Sequence, residues 1–167
     1  MWIGSIRVDV KTKNQQFAGT DSLVRAIIVR DGAELLALRL DWPAENDLER
    51  GAFRDYTYFT LPRINHFTPQ LPDGIGMNPM PYPDHGIEYS FGMNGHFTLR
   101  LRIGGSDMWI KDNVDVYIRE VRQVATSFDT LAWQEDSNWS YIASWGQDVA
   151  MSTDGGEGKT TWNLNLT

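Results

Sequence analysis

The chain predicts an all-β fold, an antiparallel eight-stranded β-sandwich, and three observations carry that reading. Apolar and polar residues alternate with a period of two through most segments. Short runs are separated by Gly, Asn and Asp turns, and no long amphipathic helix is present. The 41% hydrophobic and 12% aromatic content supplies a real core for one globular domain across residues 1–167.

The strands follow in order. "IRVDVK" sets Ile6, Val8 and Val10 on one face and Arg7, Asp9 and Lys11 on the other. "LVRAIIVR" and "DYTYFTL" are strand candidates, and "ELLALRL" reads either as a strand or as a turn or two of helix. "HFTLRLRI" alternates Phe97, Leu99, Leu101 and Ile103 with Thr98, Arg100 and Arg102. "NVDVYI" and "TTWNLNLT" continue the habit, and a further strand or pair is expected between Ser140 and Ser152. Alternation of this kind fits sheets with one wet face.

One segment breaks the rhythm. "PQLPDGIGMNPMPYPDHG", Pro69 to Gly86, holds five of the chain's seven prolines and three glycines. Proline removes a ladder donor, so the segment is not a central strand. It forms the middle of a loop insertion at about 62–95. Such a loop is either functional or an ordered excursion packed by Met77, Met80 and Tyr82.

Charge narrows the partners. The net charge is −7, and the fifteen Lys and Arg are spread along the chain, so nucleic acid is not an expected partner. No apolar run approaches the ~20 residues of a transmembrane helix. The N-terminus alternates rather than showing a basic start and an apolar stretch, so no signal peptide is visible. That points to a cytoplasmic chain or one exported by a signal-independent route. With no cysteine, disulfides and thiolate chemistry are excluded.

The motifs with chemical content are few. "TDGGEGKT", Thr153 to Thr160, has Thr153 where a phosphate-binding loop needs Gly, and a strand rather than a helix follows; it reads as a hairpin turn. "DHGIE" places Asp84, His85 and Glu88 together, but nothing marks His66 or His96 as a companion, and a solvated loop histidine is the plainer reading. Glu135 and Asp136 would point to opposite faces of a strand. The tryptophans between Trp133 and Trp145 suit either core packing or a carbohydrate-stacking platform. "FAGTDS" and "DWPAENDLERG" supply Asp21, Asp41, Asn46, Asp47 and Glu49. These are turn formers, or they are oxygen donors of the kind calcium takes from loops, without EF-hand spacing.

Three blocks carry a resemblance. "VDVKTKNQQFAGTDSLVRAIIVRDG", "LRLDWPAENDLERGAFRDYTYF" and "SDMWIKDNVDV" resemble, in order, the signature blocks of the PLAT (lipoxygenase-homology, LH2) domain. The look is nearest to the C-terminal membrane-binding domains of clostridial-type phospholipase C toxins, including the ending "GKTTWNLNL". The match is good over Ile6–Phe59 and Ser106–Ile118. It implies an eight-stranded sandwich and a non-enzymatic, calcium-assisted module that binds a phospholipid membrane surface or a partner protein. Carried over by residue, the resemblance implies metal ligands at Gly19, Thr20, Asp21, Asp41, Asn46, Asp47 and Asp107, with the Met108 carbonyl. Trp42 would be the membrane-contacting aromatic. Phe17 stands where toxin-like members have an acidic ligand, and is either a second inserting residue or a buried staple of its turn. Trp42 and an insertion at Ala44 and Glu45 alter the second loop. Two other functions stay open: a protein-interaction module using the 69–86 loop without calcium, and a small glycan-binding or enzymatic sandwich.

Overall fold

The structure, a computed structural model, describes residues 2–40, 48–59, 87–88, 96–127 and 130–166. Among these residues it is all-β with no helix, and two antiparallel sheets stack into a sandwich. Eleven strands are formed where eight were expected, because short pairing segments add to the main ones. They are β1 (Trp2–Thr12), β2 (Val24–Arg30), β3 (Ala33–Arg39), β4 (Phe53–Phe59), β5 (Ile87–Glu88), β6 (Phe97–Ile103), β7 (Trp109–Ser127), β8 (Thr130–Glu135), β9 (Ser140–Trp145), β10 (Val149–Met151) and β11 (Thr161–Asn165). "ELLALRL" is a strand, β3, and not helical.

The seven-stranded sheet is organised around β1 and the 19-residue β7. β1 runs between β4 and β7, with Val8 opposite both Tyr56 and Val116. The other edge of β7 is taken in turn by β10, β9 and β8. The four-stranded sheet has the order β11-β6-β2-β3. Its β2–β3 hairpin turns on Asp31 and Gly32, both at positive φ (49° and 85°), the left-handed pair a tight two-residue turn demands.

The alternation read from the sequence becomes the core. Ile6, Val8, Val10, Val114, Val116 and Ile118 from one sheet meet Val24, Ala26, Ile28, Leu99, Leu101 and Ile103 from the other, all buried. Trp145 and Trp162 stack across the sandwich at 5.5 Å between ring centroids. The Tyr58 hydroxyl on β4 donates to the Arg39 carbonyl on β3 and ties the sheets at one edge. Gly4 is the extra residue where the β1–β7 register shifts, and a Cβ there would stand 2.2 Å from Val121 Cγ2. Only glycine lets β1 bulge at that point.

The outer face of the large sheet is polar. Asp9 lies directly between Asp55 and Asp115 and is 6% exposed. Burial raises its carboxyl above the ordinary value, against the Arg7 fork at 2.8 and 2.9 Å, and Asp55 and Asp115 push it the same way as burial. Arg7 also lies over the Tyr117 ring at 4.4 Å, and Arg119 over Trp139 at 4.3 Å.

Candidate functional site

The strand order sends the β1–β2, β3–β4 and β6–β7 connections to the same end of the sandwich, so segments distant in sequence meet there. β1 hands the chain to the first loop at Lys13, whose N–H donates to Ile110 O at 2.9 Å. That loop is pinned again where Ile110 N–H donates to Ala18 O at 2.9 Å, with Ala18 buried.

Thr20 is the hub. Its N–H donates to Leu48 O at 3.2 Å, and its hydroxyl donates to Asp107 O at 3.0 Å and accepts from Ser22 N–H at 3.0 Å. The Asp21 N–H donates to the Asp107 carboxylate at 2.9 Å. One threonine side chain and one aspartate thus join the first and third loops, while the Thr20 backbone joins the first to the second. Gly105 completes the fit, since a Cβ there would stand 2.2 Å from Ser22 Oγ.

Gly19, expected as a carbonyl donor, has a second reason to be glycine. A Cβ would lie 2.9 Å from Arg50 N, 3.0 Å from Glu49 Cα and 3.1 Å from Glu49 Oε2. Contacts that short force the two loops apart. Gly19→Ala is therefore expected to destabilise by about 1–3 kcal/mol, and a urea melt checks it. An unchanged midpoint would mean that the 48–50 backbone yields freely.

The structure brings together Gly19, Thr20, Asp21 and Asp107, four of the seven expected ligands. The other three, Asp41, Asn46 and Asp47, lie outside the described residues, as do Trp42, Ala44 and Glu45. Glu49, read in the sequence among the loop oxygen donors but not among the ligands the resemblance implies, has its carboxylate close to Gly19. The donor class is right for calcium: carboxylates and backbone carbonyls, all hard oxygen. Among the described residues no three acidic or histidine side chains are grouped closely enough to hold a metal ion.

Phe17 is not a buried staple. It is 75% exposed, and its φ of 62° puts a bulky aromatic in the left-handed region. Such a residue is an outlier in that region, and it persists only where surrounding structure holds it. Phe53, at the first position of β4, is also exposed.

The remaining candidates resolve differently. Thr153–Thr160 turns the chain as expected, but it is not a hairpin: it links β10 of one sheet to β11 of the other. Trp145 is buried in the core and Trp139 is half-buried beneath two arginines, so these two do not make an exposed stacking platform. His96 is exposed and its backbone N–H donates to Asp31 Oδ1 at 3.0 Å, while His66, His85 and the 69–86 loop lie outside the described residues. No described helix is long and apolar enough to cross a membrane.

No protein-family model and no curated protein sequence matches the chain. Solved structures do. Alpha toxin from Clostridium absonum is 18% identical with a TM-score of 0.47, covering 99% of this chain and 32% of the toxin. Clostridium perfringens alpha-toxin from an avian strain is 12% identical with a TM-score of 0.46, over 100% of this chain and 32% of the toxin. A coral 8R-lipoxygenase, described as calcium-activated through a C2-like domain, is 16% identical with a TM-score of 0.43, over 89% of this chain and 16% of the enzyme. The chain thus spans about a third of the toxins' length and less of the lipoxygenase's.

Proposed function

We propose that the chain is a non-enzymatic, PLAT-like module that binds a phospholipid surface through the loop end of its sandwich. The observation that carries this reading is Phe17, held outward on a left-handed backbone at the tip of a loop that hydrogen bonds otherwise pin. Ordinary turns do not hold an aromatic ring in water at a cost in backbone energy of about 1–3 kcal/mol. Transfer of such a ring into the headgroup and acyl boundary recovers about 1.5–3 kcal/mol. Trp42, in the neighbouring connection, is proposed as a second inserting residue.

Calcium assistance is part of the proposal. Gly19, Thr20, Asp21 and Asp107, with Asp41, Asn46 and Asp47 from the second loop, would hold the ion. A bound cation would cancel carboxylate repulsion and attract lipid phosphate.

The test is co-sedimentation with phosphatidylcholine vesicles, with calcium and with chelator. The wild-type chain is expected to pellet, more strongly with calcium. Phe17→Ala should weaken partitioning by about 10-fold or more, following the area its ring would bury. Failure of the wild type to pellet under either condition sinks the lipid reading. Calorimetry with no calcium heat removes the ion and leaves the surface reading standing on Phe17.

A further inference from the structure

Among the described residues four large hydrophobic side chains are exposed: Phe17, Leu35, Phe53 and Tyr141. The fold sorts them by place. Leu35 lies near the β2–β3 turn, at the end of the sandwich away from the loops. Tyr141 pairs with Tyr117 on the outer face of the large sheet, well along β7 from Trp109. Phe17 and Phe53 are the two at the loop end.

Phe53 is held there by pairing that runs on past β1. Lys11 stands opposite Phe53, Thr12 N–H donates to Ala52 O at 2.9 Å, and Gly51 N–H donates to Lys13 O at 3.3 Å. A Cβ on Gly51 would lie 3.4 Å from Asn14 Cγ, so the start of the first loop and the return of the second run side by side. Arg7, Asp9 and Lys11 mark the outer face of the large sheet, and Phe53 shares that face. β4 ends the strand order β10-β7-β1-β4, so among these strands only β1 flanks the ring. At 57% exposure, most of the ring meets solvent.

The opposite corner of the loop end differs. Thr153 N–H donates to Gly105 O at 3.0 Å and Ser152 Oγ–H to Ser106 O at 2.9 Å, which sets the Thr153–Thr160 turn beside the third loop. That turn carries Asp154, Glu157, Lys159 and three glycines, and no apolar side chain. Among the described residues, the exposed aromatic surface of the loop end therefore lies on one side.

Height decides how Phe53 joins Phe17 in a bilayer. A strand rises about 3.3 Å per residue, so Phe53 stands about 7 Å back from Gly51. The headgroup layer on one side of a bilayer is about 5–8 Å thick. A sandwich standing upright on Phe17 leaves Phe53 at the outer edge of that layer. Leaning towards β4 brings both rings into it and lifts the Thr153–Thr160 turn away.

We propose that the sandwich docks obliquely on a bilayer, with Phe53 inserting beside Phe17 at the β1–β4 corner. This rests on the lipid-surface reading and adds an orientation and a second anchor to it. The two rings are set apart by polar residues, Asn14, Gln15, Gln16 and Arg50. Separate rings suit a fluid interface, whereas a protein partner is met by a contiguous apolar patch. Lys11 and Lys13, which border the corner, are paired with Asp112 at 2.7 Å and Asp148 at 2.5 Å, so the contact is apolar and does not depend on lipid charge.

The experiment compares wild type, Phe17→Ala, Phe53→Ala and Tyr141→Ala by co-sedimentation with phosphatidylcholine vesicles in calcium, with thermal melts to verify folding. Phe53→Ala should weaken partitioning about 10-fold, as Phe17→Ala does. Tyr141→Ala, which removes a ring of the same 57% exposure, should leave it unchanged. The chain has no cysteine, so a single introduced one carries an environment-sensitive fluorophore to a chosen place. Labels on Phe17→Cys and Phe53→Cys should shift to the blue on vesicles, and a label on Glu157→Cys should not. A shift at 17 without one at 53, or undiminished binding by Phe53→Ala, overturns oblique docking and leaves the Phe17 reading intact. Equal shifts at 53 and 157, or an equal loss from Tyr141→Ala, also overturn it. No pelleting of wild type and no shift at any label overturn both readings. Self-association that Phe53→Ala abolishes, with vesicle binding unchanged, gives the ring to a second copy and overturns the insertion.

Discussion

Trp109→Ala is expected to destabilise the fold by about 3–5 kcal/mol, the range for removing a fully buried large aromatic. For a domain of this size that corresponds to a melting temperature lower by about 6–20 °C. The indole is wholly buried at the start of β7, two residues after Asp107. Its Nε1–H donates to Thr12 Oγ1 at 3.0 Å, and that hydroxyl donates to Leu48 O at 3.4 Å. A single ring therefore braces the end of β1, the return of the second loop and the start of β7. Alanine removes apolar contacts, leaves a cavity and takes away the donor together. Trp109→Phe separates these effects, since it keeps most of the volume and loses the N–H. It should cost about 1–2 kcal/mol, the value of one buried hydrogen bond with some repacking. Calorimetry of calcium binding on both variants tests the link to function. A melting temperature for Trp109→Ala close to that of wild type would refute the bracing role.

The contrast between Val116 and Phe17 shows which part of the molecule was legible in the sequence. Val116 sits in "NVDVYI", where the alternation assigns it to a strand and sets it on one face with Val114 and Ile118, and all three are buried. Trp109 is out of phase with them, and its burial follows from the shift in the β1–β7 register at Lys11/Thr12. Phe17 sits among Gln15, Gln16, Ala18 and Gly19, with no period on either side. An aromatic there reads equally as staple or as exposed anchor, and only the backbone dihedral separates the two. Strand existence was readable for the same reason as Val116, because each strand carries its own two-residue pattern.

Pairing between strands was not readable in that way. Arg25, Arg39 and Arg102 are separated by 14 and 63 residues, and they stand in one row across the small sheet only because β2 lies between β3 and β6 in one register. The even spread of basic residues along the chain held no trace of it. The same limit explains Thr153–Thr160. Turn chemistry is local, so the turn was legible, whereas the sheet that each flanking strand joins depends on distant partners. Gly19 shows a third case: its identity suggested a freed carbonyl, and close approach to Glu49 and Arg50 is a tertiary cause with the same residue as its answer. Trp145 shows the reverse limit. An isolated tryptophan in "SYIASWGQD" carries no sign of the Trp162 ring that it meets from the other sheet.

Lys111 gives the second large effect, and it is read through pH. Its side chain is fully buried, with Nζ donating to Trp145 O at 2.9 Å and to Gln147 O, and 4.5 Å from the Trp145 ring centroid. Burial lowers the ammonium from 10.5 to about 8. The two carboxylates that oppose that shift are engaged elsewhere, Asp112 with Lys11 at 2.7 Å and Asp148 with Lys13 at 2.5 Å. The folded chain therefore releases this proton before the unfolded chain does. Between about pH 8 and 10.5 the unfolded state binds more protons, so stability rises with pH across that window, by up to about 1.4 kcal/mol per unit and about 3 kcal/mol in all. Below pH 8 both states are protonated and the contribution is flat. Lys13 works with the opposite sign but in another range: its hydrogen bond to Asp148 raises it, so its contribution is lost only as the pH climbs past 10.5. Lys111→Met removes a buried charge and, at the same time, leaves two carbonyls without their donor at about 1–3 kcal/mol each. These terms nearly cancel at pH 7, so a single-pH melt is a poor readout. Urea melts of both proteins from pH 7 to 10 isolate the effect, because every other titrating group is common to the pair. The wild-type free energy should climb relative to the variant from pH 8 upward. Parallel curves would mean that water or local opening keeps the Lys111 ammonium solvated, and that the Trp145–Gln147 turn is held by packing on Trp162 rather than by a buried cation.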